Sequence, residues 1–384
     1  MSSIRTSNNH QMLVWAREEV GFTIEQAAEA IGVSIESLRA AESGEKPLTL
    51  NQLRNAAEKY DFPFGYFYLS SPPTSKSFKP VPDFRIAPGL IGSDHFRLNL
   101  EIRKCRVRRE QFLDLAASLE MDIKPFQTLT EPHPKNVGGL IRERLGVSTS
   151  EISSLSYDEV YSYWKNKIEN DGVLVYESQY IPEITGVIGV ALFNEICPVI
   201  LVKRGPDLNE RKLFTLLHEY AHLLNGKSGI NDAGAQVIQL ANTSEAQFEA
   251  ACNRLAAEIL VPANDVKTVE YSALTSIGKM EALAKDFRVT YTTAAVCLRR
   301  LNLINQTELV QLLEIRRKAN VKKPAIKGAG IKIPRENIMR LDMGCPMFNT
   351  VLEAYSVGLL DVYDASKILN LRVKKIDRLV AGIS

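Results

Sequence analysis

Residues 216–224 read LLHEYAHLL, two histidines four apart with a glutamate directly after the first. On a helix, residues four apart lie one turn above each other, so His218 and His222 present their imidazoles to one point. Zinc takes neutral imidazole nitrogens at about 2.0–2.1 Å, and a catalytic site usually combines three protein ligands with a water. Glu219 is rotated away from the metal axis, yet it reaches a water held there and can take its proton. The bland alternative is a helix that carries two core or surface histidines. With five histidines in the chain, composition alone produces HExxH in roughly one such sequence in 250. The apolar flanks, and a predicted sheet just before the motif, favour the metal reading.

A third ligand is required. His10, His95 and His133 fall on no element predicted to face this helix. The next long helix, EAQFEAACNRLAAEILVP, offers Glu245, Glu249 and Glu258. Glu245 and Glu249 are one turn apart, so spacing alone does not separate them. Asn253 follows Glu249 by one turn, where it can hydrogen-bond to the helix or to the surroundings of the metal.

The elements around this motif follow from composition and periodicity. A chain of 384 residues exceeds one ordinary core and implies two or three domains. A net charge of +2 points to no nucleic-acid or membrane partner by itself, so any electrostatic argument must be local. No apolar run approaches the 18 or so residues that span a bilayer, and MSSIRTSNNHQ lacks a signal-peptide core. Five scattered cysteines without a CxxC predict reduced thiols and a cytoplasmic protein.

Residues 1–69 read as short helices, with capping boxes at Thr23/Gln26 and Thr49/Gln52. The short GVS turn between TIEQAAEAIG and SIESLRAAESGE is a helix-turn-helix signal, with Ala27, Ala28, Ile31, Val33, Ile35 and Leu38 facing inward. The linker spans 70–93 and begins with the Pro/Ser-rich SSPPTSKSFKP. A helical region covers 94–170, with a third capping box at Ser156/Glu159. VLVYES, VIGVALF and PVILVK then predict a small sheet over about 173–203. The HEYAH helix follows, with Gly226 as its stop. KSGINDAGAQVIQLANTS reads as a polar spacer before the second long helix. Helix–turn–helix rhythm returns in KMEALAKDFRVTYTTAAVCLRRLNLI and again in DVYDASKILNLRVKKIDRLV.

RKLFTLLHEYAHLL, followed by EAACNRLAAEILVP with 26 residues between His222 and Glu249, resembles the ImmA/IrrE metallopeptidase family. TGVIGVALFNEICPVILVK is similar to that family's lead-in, and the likeness covers roughly residues 170–305. The resemblance implies His218, His222 and Glu249 as metal ligands and Glu219 as general base, with Asn253 supporting the ligands. It implies zinc, with manganese or iron as alternatives for a His₂Glu set. An oxyanion donor is also expected, with Tyr176, Tyr180, Arg211 and Tyr271 as candidates. Two positions depart from the family pattern. Cys252 replaces the usual alanine and offers a rival thiolate or an oxidation site; Lys203 replaces a small polar residue and bears on edge-strand substrate contacts.

AREEVGFTIEQAAEAIGVSIESLRAAESGEKPLT resembles the XRE (Cro/repressor-like) DNA-binding family over about 60 residues. The resemblance implies Ser34, Ser37 and Arg39 as DNA readers on the second helix of the turn. The electrostatics oppose it: residues 1–62 carry six Lys/Arg against nine Asp/Glu, a net charge of 6 − 9 = −3. RKCRVRR is the most basic run, and a solvated helix face is its plainer reading.

The chain therefore reads as α+β and mostly helical. A helix-turn-helix bundle (1–69) and a linker (70–93) precede a helical region (94–170). A small-sheet, zincin-like metallopeptidase domain with a helix-turn-helix-like end (171–305) and a helical C-terminal region (306–384) complete it. The expected function is a zinc-dependent endopeptidase that cleaves a repressor or antitoxin-like protein, fused to an XRE-type domain. The alternative is a DNA-binding transcriptional regulator whose metallopeptidase-like domain senses or docks. Expected partners are a protein substrate, DNA through the N-terminal domain and a second copy in a homodimer, with no membrane.

Overall fold

The computed structural model describes residues 8–60, 62–71, 93–130, 136–183, 186–205, 209–232, 244–266, 271, 273–321 and 334–381. Most of the expected 70–93 linker lies outside them. The chain divides into two compact units, residues 1–107 with 180–186, and residues 108–179 with 187–384.

In the first unit, α1 (His10–Glu19), α2 (Ile24–Ile31), α3 (Ile35–Glu42) and α4 (Leu50–Tyr60) are followed by a 3₁₀ turn, Phe64–Tyr68. Thr23 and Gln26 close a reciprocal capping box that satisfies N–H groups left open at the start of α2. Thr49 and Gln52 make the same exchange before α4. Gly32 takes φ 81°, which lets the chain turn into α3 within three residues. Small Ala27, Ala28 and Ala56 allow close helix crossing, and Leu13, Leu38, Leu53 and Phe67 fill the core between them. Burying each of these larger side chains stabilises the unit by roughly 1.5–3 kcal/mol.

α5 (Ser93–Ser118) runs across the boundary between the units. The second unit continues with α6 (Val137–Leu145), α7 (Thr149–Ser154), α8 (Tyr157–Asn170), β1 (Leu174–Ser178), β2 (Val187–Leu192), β3 (Val199–Lys203) and α9 (Asn209–Leu224). β4 (Gly229–Asp232), α10 (Ser244–Leu260), α11 (Ser276–Phe287), α12 (Tyr291–Arg300), α13 (Gln306–Val321), α14 (Arg335–Ser356), α15 (Val362–Leu369) and α16 (Val373–Ala381) complete it. Among the described residues, no helix is long and apolar enough to cross a membrane.

The sheet order is β1-β3-β2-β4, with β1 and β3 parallel and the other pairs antiparallel. Every residue of β1 and β3 is buried. That explains why these strands read as continuous apolar runs and not as alternating ones. β4 corrects the reading of KSGINDAGAQVIQLANTS as spacer throughout, since Gly229–Asp232 pairs with β2. Four residues with one β-branched side chain carry no period; the open edge of β2 supplies the order. Residues 233–243 of that stretch lie outside the described residues.

A buried ion cluster ties α9 to the sheet. Glu177 on β1 accepts from Lys212 Nζ of α9 at 2.6 Å and from Lys165 Nζ of α8 at 3.3 Å. Burial opposes the Glu177 charge, but Lys165 and Lys212 outweigh it and hold the carboxyl below its usual range. The same cluster sits two turns ahead of HEYAH, so it sets where that helix lies against the strands.

Candidate metal centre

α9 buries Leu213, Leu216, Leu217, Tyr220, Ala221, Leu223 and Leu224, and this apolar surface fixes its rotation. Gly226 at φ 66° ends the last turn, with the Lys227 N–H returning to the His222 carbonyl at 3.1 Å. His218, Glu219 and His222 are therefore buried together, each 1% exposed or less.

The structure brings the ligand atoms of three residues together. His218 Nε2 lies 3.1 Å from His222 Nε2, and Glu249 Oε2 and Oε1 lie 3.2 and 3.3 Å from them respectively. Each carboxylate oxygen thus faces one imidazole, and the separations are close to the about 3.3 Å edges of a tetrahedral shell with bonds of about 2.05 Å. Two imidazole lone pairs 3.1 Å apart repel unless a cation or proton lies between them. Asn253 Oδ1 stands 2.9 Å from His218 Nδ1 and accepts its proton, which leaves Nε2 as the ligating atom. The edge of Phe248 meets the His222 ring at 5.2 Å between centroids, which confines the ring's rotation. The side chain of Glu249 is 43% exposed, so the centre opens to solvent on that side. His218, His222 and Glu249 thus form a group able to hold a divalent metal.

Burial works against the Glu249 charge, but hydrogen bonds from His218 and His222 outweigh it and lower its pKa to about 2. Glu219 behaves in the opposite way. Both of its carboxylate oxygens are buried without a partner, and burial, then the Glu249 charge, push its carboxyl well above the ordinary range. An unpartnered buried carboxyl costs several kcal/mol, so a water or substrate group is the expected neighbour.

Two glycines make the space. A Cβ at Gly189 of β2 would stand 2.5 Å from Glu219 Oε1, and one at Gly229 of β4 would stand 2.4 Å from the His222 ring. Sequence reasoning missed both positions. The glycine inside the β-branched run VIGVAL was an available signal, since a strand glycine often marks close approach of another group.

The other sequence candidates fall elsewhere. Glu258 packs on α6, with its carboxylate 3.4 Å from the Gly138 N–H. The side chains of Glu245 and His95, and all of His133, lie outside the described residues, while His10 begins α1 of the first unit. Tyr271 donates to Asp286 at 2.7 Å, Tyr176 sits two strands away from β2 on β1, Tyr180 belongs to the first unit, and Arg211 is exposed on α9. Lys203 stands on the inner strand β3, so its departure from the family pattern does not touch an edge strand. Cys252 is fully buried, and burial followed by the charges of Glu249 and Glu219 raises its thiol far above the usual range. Its sulfur is not among the ligand atoms that converge with His218, His222 and Glu249 among the described residues.

Ser37 and Arg39 are exposed on α3, and Ser34 is exposed at its N-cap. Ser34 caps α3 by accepting from the Ser37 N–H at 3.2 Å, and Arg39 pairs with Glu25 at 3.4 Å. In RKCRVRR, Arg103 donates to the Tyr60 carbonyl, Arg108 to that of Asp342 and Arg109 to those of Ile196 and Cys197. These cations are committed to backbone within their own units.

Two family models match the chain. Residues 188–299 match a peptidase family described as the IrrE N-terminal-like domain, and residues 13–67 match a helix-turn-helix family. No curated protein and no solved structure matches. The chain thus joins an XRE-type helix-turn-helix domain to an IrrE N-terminal-like, metallopeptidase-like domain.

Proposed function

We propose that the protein is a zinc-dependent endopeptidase that cleaves a regulatory protein of the repressor or antitoxin type. The observation that carries this reading is Glu219, whose two unpartnered carboxylate oxygens are buried beside the convergent His218, His222 and Glu249. A helix with merely structural histidines has no use for such an acid. When bound, the metal would supply Lewis acidity to a water and to the scissile carbonyl. His218, His222 and Glu249 would hold it, with Asn253 orienting His218. Glu219 takes the proton of the attacking water and returns it to the departing amine. Space for the carboxyl is kept by Gly189, and the exposed side of Glu249 admits the substrate.

The domain pairing supports a substrate among regulatory proteins, because an XRE-type domain shares the chain. The test compares wild type with Glu219→Gln for cleavage of candidate repressors, with metal content measured in both. Equal metal with cleavage lost only in the variant is the expected result. Equal cleavage by both would reject Glu219 as the base, and absence of cleavage by either with metal bound would favour a sensor or docking domain.

A further inference from the structure

Three hairpins in this chain turn in the same way. In α2–α3, α11–α12 and α15–α16 the first helix ends on a left-handed residue, Gly32, Arg288 or Asn370, with φ of 81°, 50° and 51°. An apolar residue follows, Val33, Val289 or Leu371, whose N–H closes on the carbonyl five residues back, Ala28, Ala284 or Ser366, at 2.9, 3.2 and 3.1 Å. One more residue leads into the second helix each time. The first hairpin lies in the segment matched by the helix-turn-helix family; the third lies outside both matched segments.

Their outward faces differ. From Thr23 to Glu42 the first hairpin carries Arg39 against Glu25, Glu29, Glu36 and Glu42, a charge of 1 − 4 = −3. In the second, Thr292 and Val296 are the exposed residues of α12, while Arg299 bonds to Asn302 and Arg300 to the Val261 carbonyl. From Asp361 to Ala381 the third carries Lys367, Arg372, Lys374, Lys375 and Arg378 against Asp361, Asp364 and Asp377, a charge of 5 − 3 = +2. Arg372, Lys374 and Arg378 are exposed and have no carboxylate partner among the described residues. Two of the three acids there are occupied: Asp361 caps α15, and Asp377 accepts from Tyr355 at 2.8 Å, while Asp364 in the first turn of α15 is exposed. Lys375 pairs with Glu336 at 2.6 Å.

We propose that α15–α16 is a second helix-turn-helix and binds duplex DNA, with Lys374 and Arg378 of α16 entering the major groove and Lys367 and Arg372 meeting phosphates. Shape selects the partner class. A helix fits the roughly 12 Å wide major groove of DNA, whereas the deep, narrow major groove of RNA does not admit it. Charge selects this hairpin over the acidic one, because phosphate neutralisation supplies most non-specific affinity.

The test uses the full chain and a fluorescent duplex of random sequence, with anisotropy read between 50 and 200 mM salt. Lys374→Glu with Arg378→Glu should weaken binding at least tenfold and reduce the slope of log affinity against log salt by about 2. Lys374→Arg with Arg378→Lys should retain binding, and an unchanged melting curve in both pairs shows that the hairpin still folds. Binding unaffected by the charge reversal, lost instead in Arg39→Ala, stronger to an RNA hairpin, or absent in wild type would each overturn the proposal.

Discussion

Replacing Gly189 by alanine should disable the general base while sparing the metal ligands. The added Cβ would stand 2.5 Å from Glu219 Oε1, 2.7 Å from Thr215 Cγ2 and 2.8 Å from Glu219 Cγ. Ordinary contact requires about 3.4 Å or more, so the carboxyl lacks about 0.9 Å of room. Both carbon and oxygen of the side chain are met, and a small rotation of its tip does not relieve the clash. Strand β2 is hydrogen-bonded to β3 on one side and β4 on the other, which resists withdrawal of the backbone. Glu219 must therefore move by about 1 Å. Overpacking of this kind costs about 1–3 kcal/mol of stability, and misplacing a reacting group by about 1 Å lowers turnover about 10²-fold. None of the three clashing atoms belongs to His218, His222 or Glu249, so metal bound per chain should stay at the wild-type level. Initial cleavage rates on a mass-spectrometric peptide library, metal content and a thermal melt measure the three quantities together. Wild-type rates in a folded variant would refute the assigned role of Glu219, and parallel loss of metal would mean that the glycine acts through the ligands.

Three further outcomes follow from the same geometry. Asn253→Ala removes the acceptor 2.9 Å from His218 Nδ1 and should weaken metal affinity about 10–100-fold in a chelator competition titration, with the fold retained. Glu177→Ala leaves Lys165 and Lys212 as buried, unpaired cations and should lower stability by about 3–5 kcal/mol in urea titration; a change under about 1 kcal/mol would show that the cluster does not anchor α9. Glu169 is pushed up to about 7 by burial against Lys165, so its folded pKa exceeds its unfolded value near 4.5. Its stabilising effect is complete below pH 4.5 and is lost as pH rises to about 7, up to about 3 kcal/mol, and Glu169→Gln should flatten that decline in melts at pH 5 and pH 8.

Much of this architecture was legible in local sequence. The capping boxes at Thr23, Thr49 and Ser156 depend on residues three apart, and each forms. The GVS turn and the Gly226 stop are likewise local, set by backbone that accepts positive φ. The spacing of His218 and His222 follows from helix geometry alone. Glu249 was different, because one-turn spacing left it equivalent to Glu245, and its choice came from resemblance to a family. β4 was missed because four residues hold too little periodicity to announce a strand.

What the sequence determined by itself was the set of helices, the apolar strands and the chemistry available at HEYAH, since these rest on residues within one or two turns. Tertiary structure decided which glutamate reaches the histidines, that Asn253 orients His218, and that Gly189 and Gly229 leave room for Glu219 and His222. It also decided which cations are spent, committing Arg103, Arg108 and Arg109 of RKCRVRR to carbonyls while Lys374 and Arg378 stay exposed. The physical reason is that these contacts join different elements, most of them 30 or more residues apart, and depend on how the strands and helices stack, which no local pattern encodes.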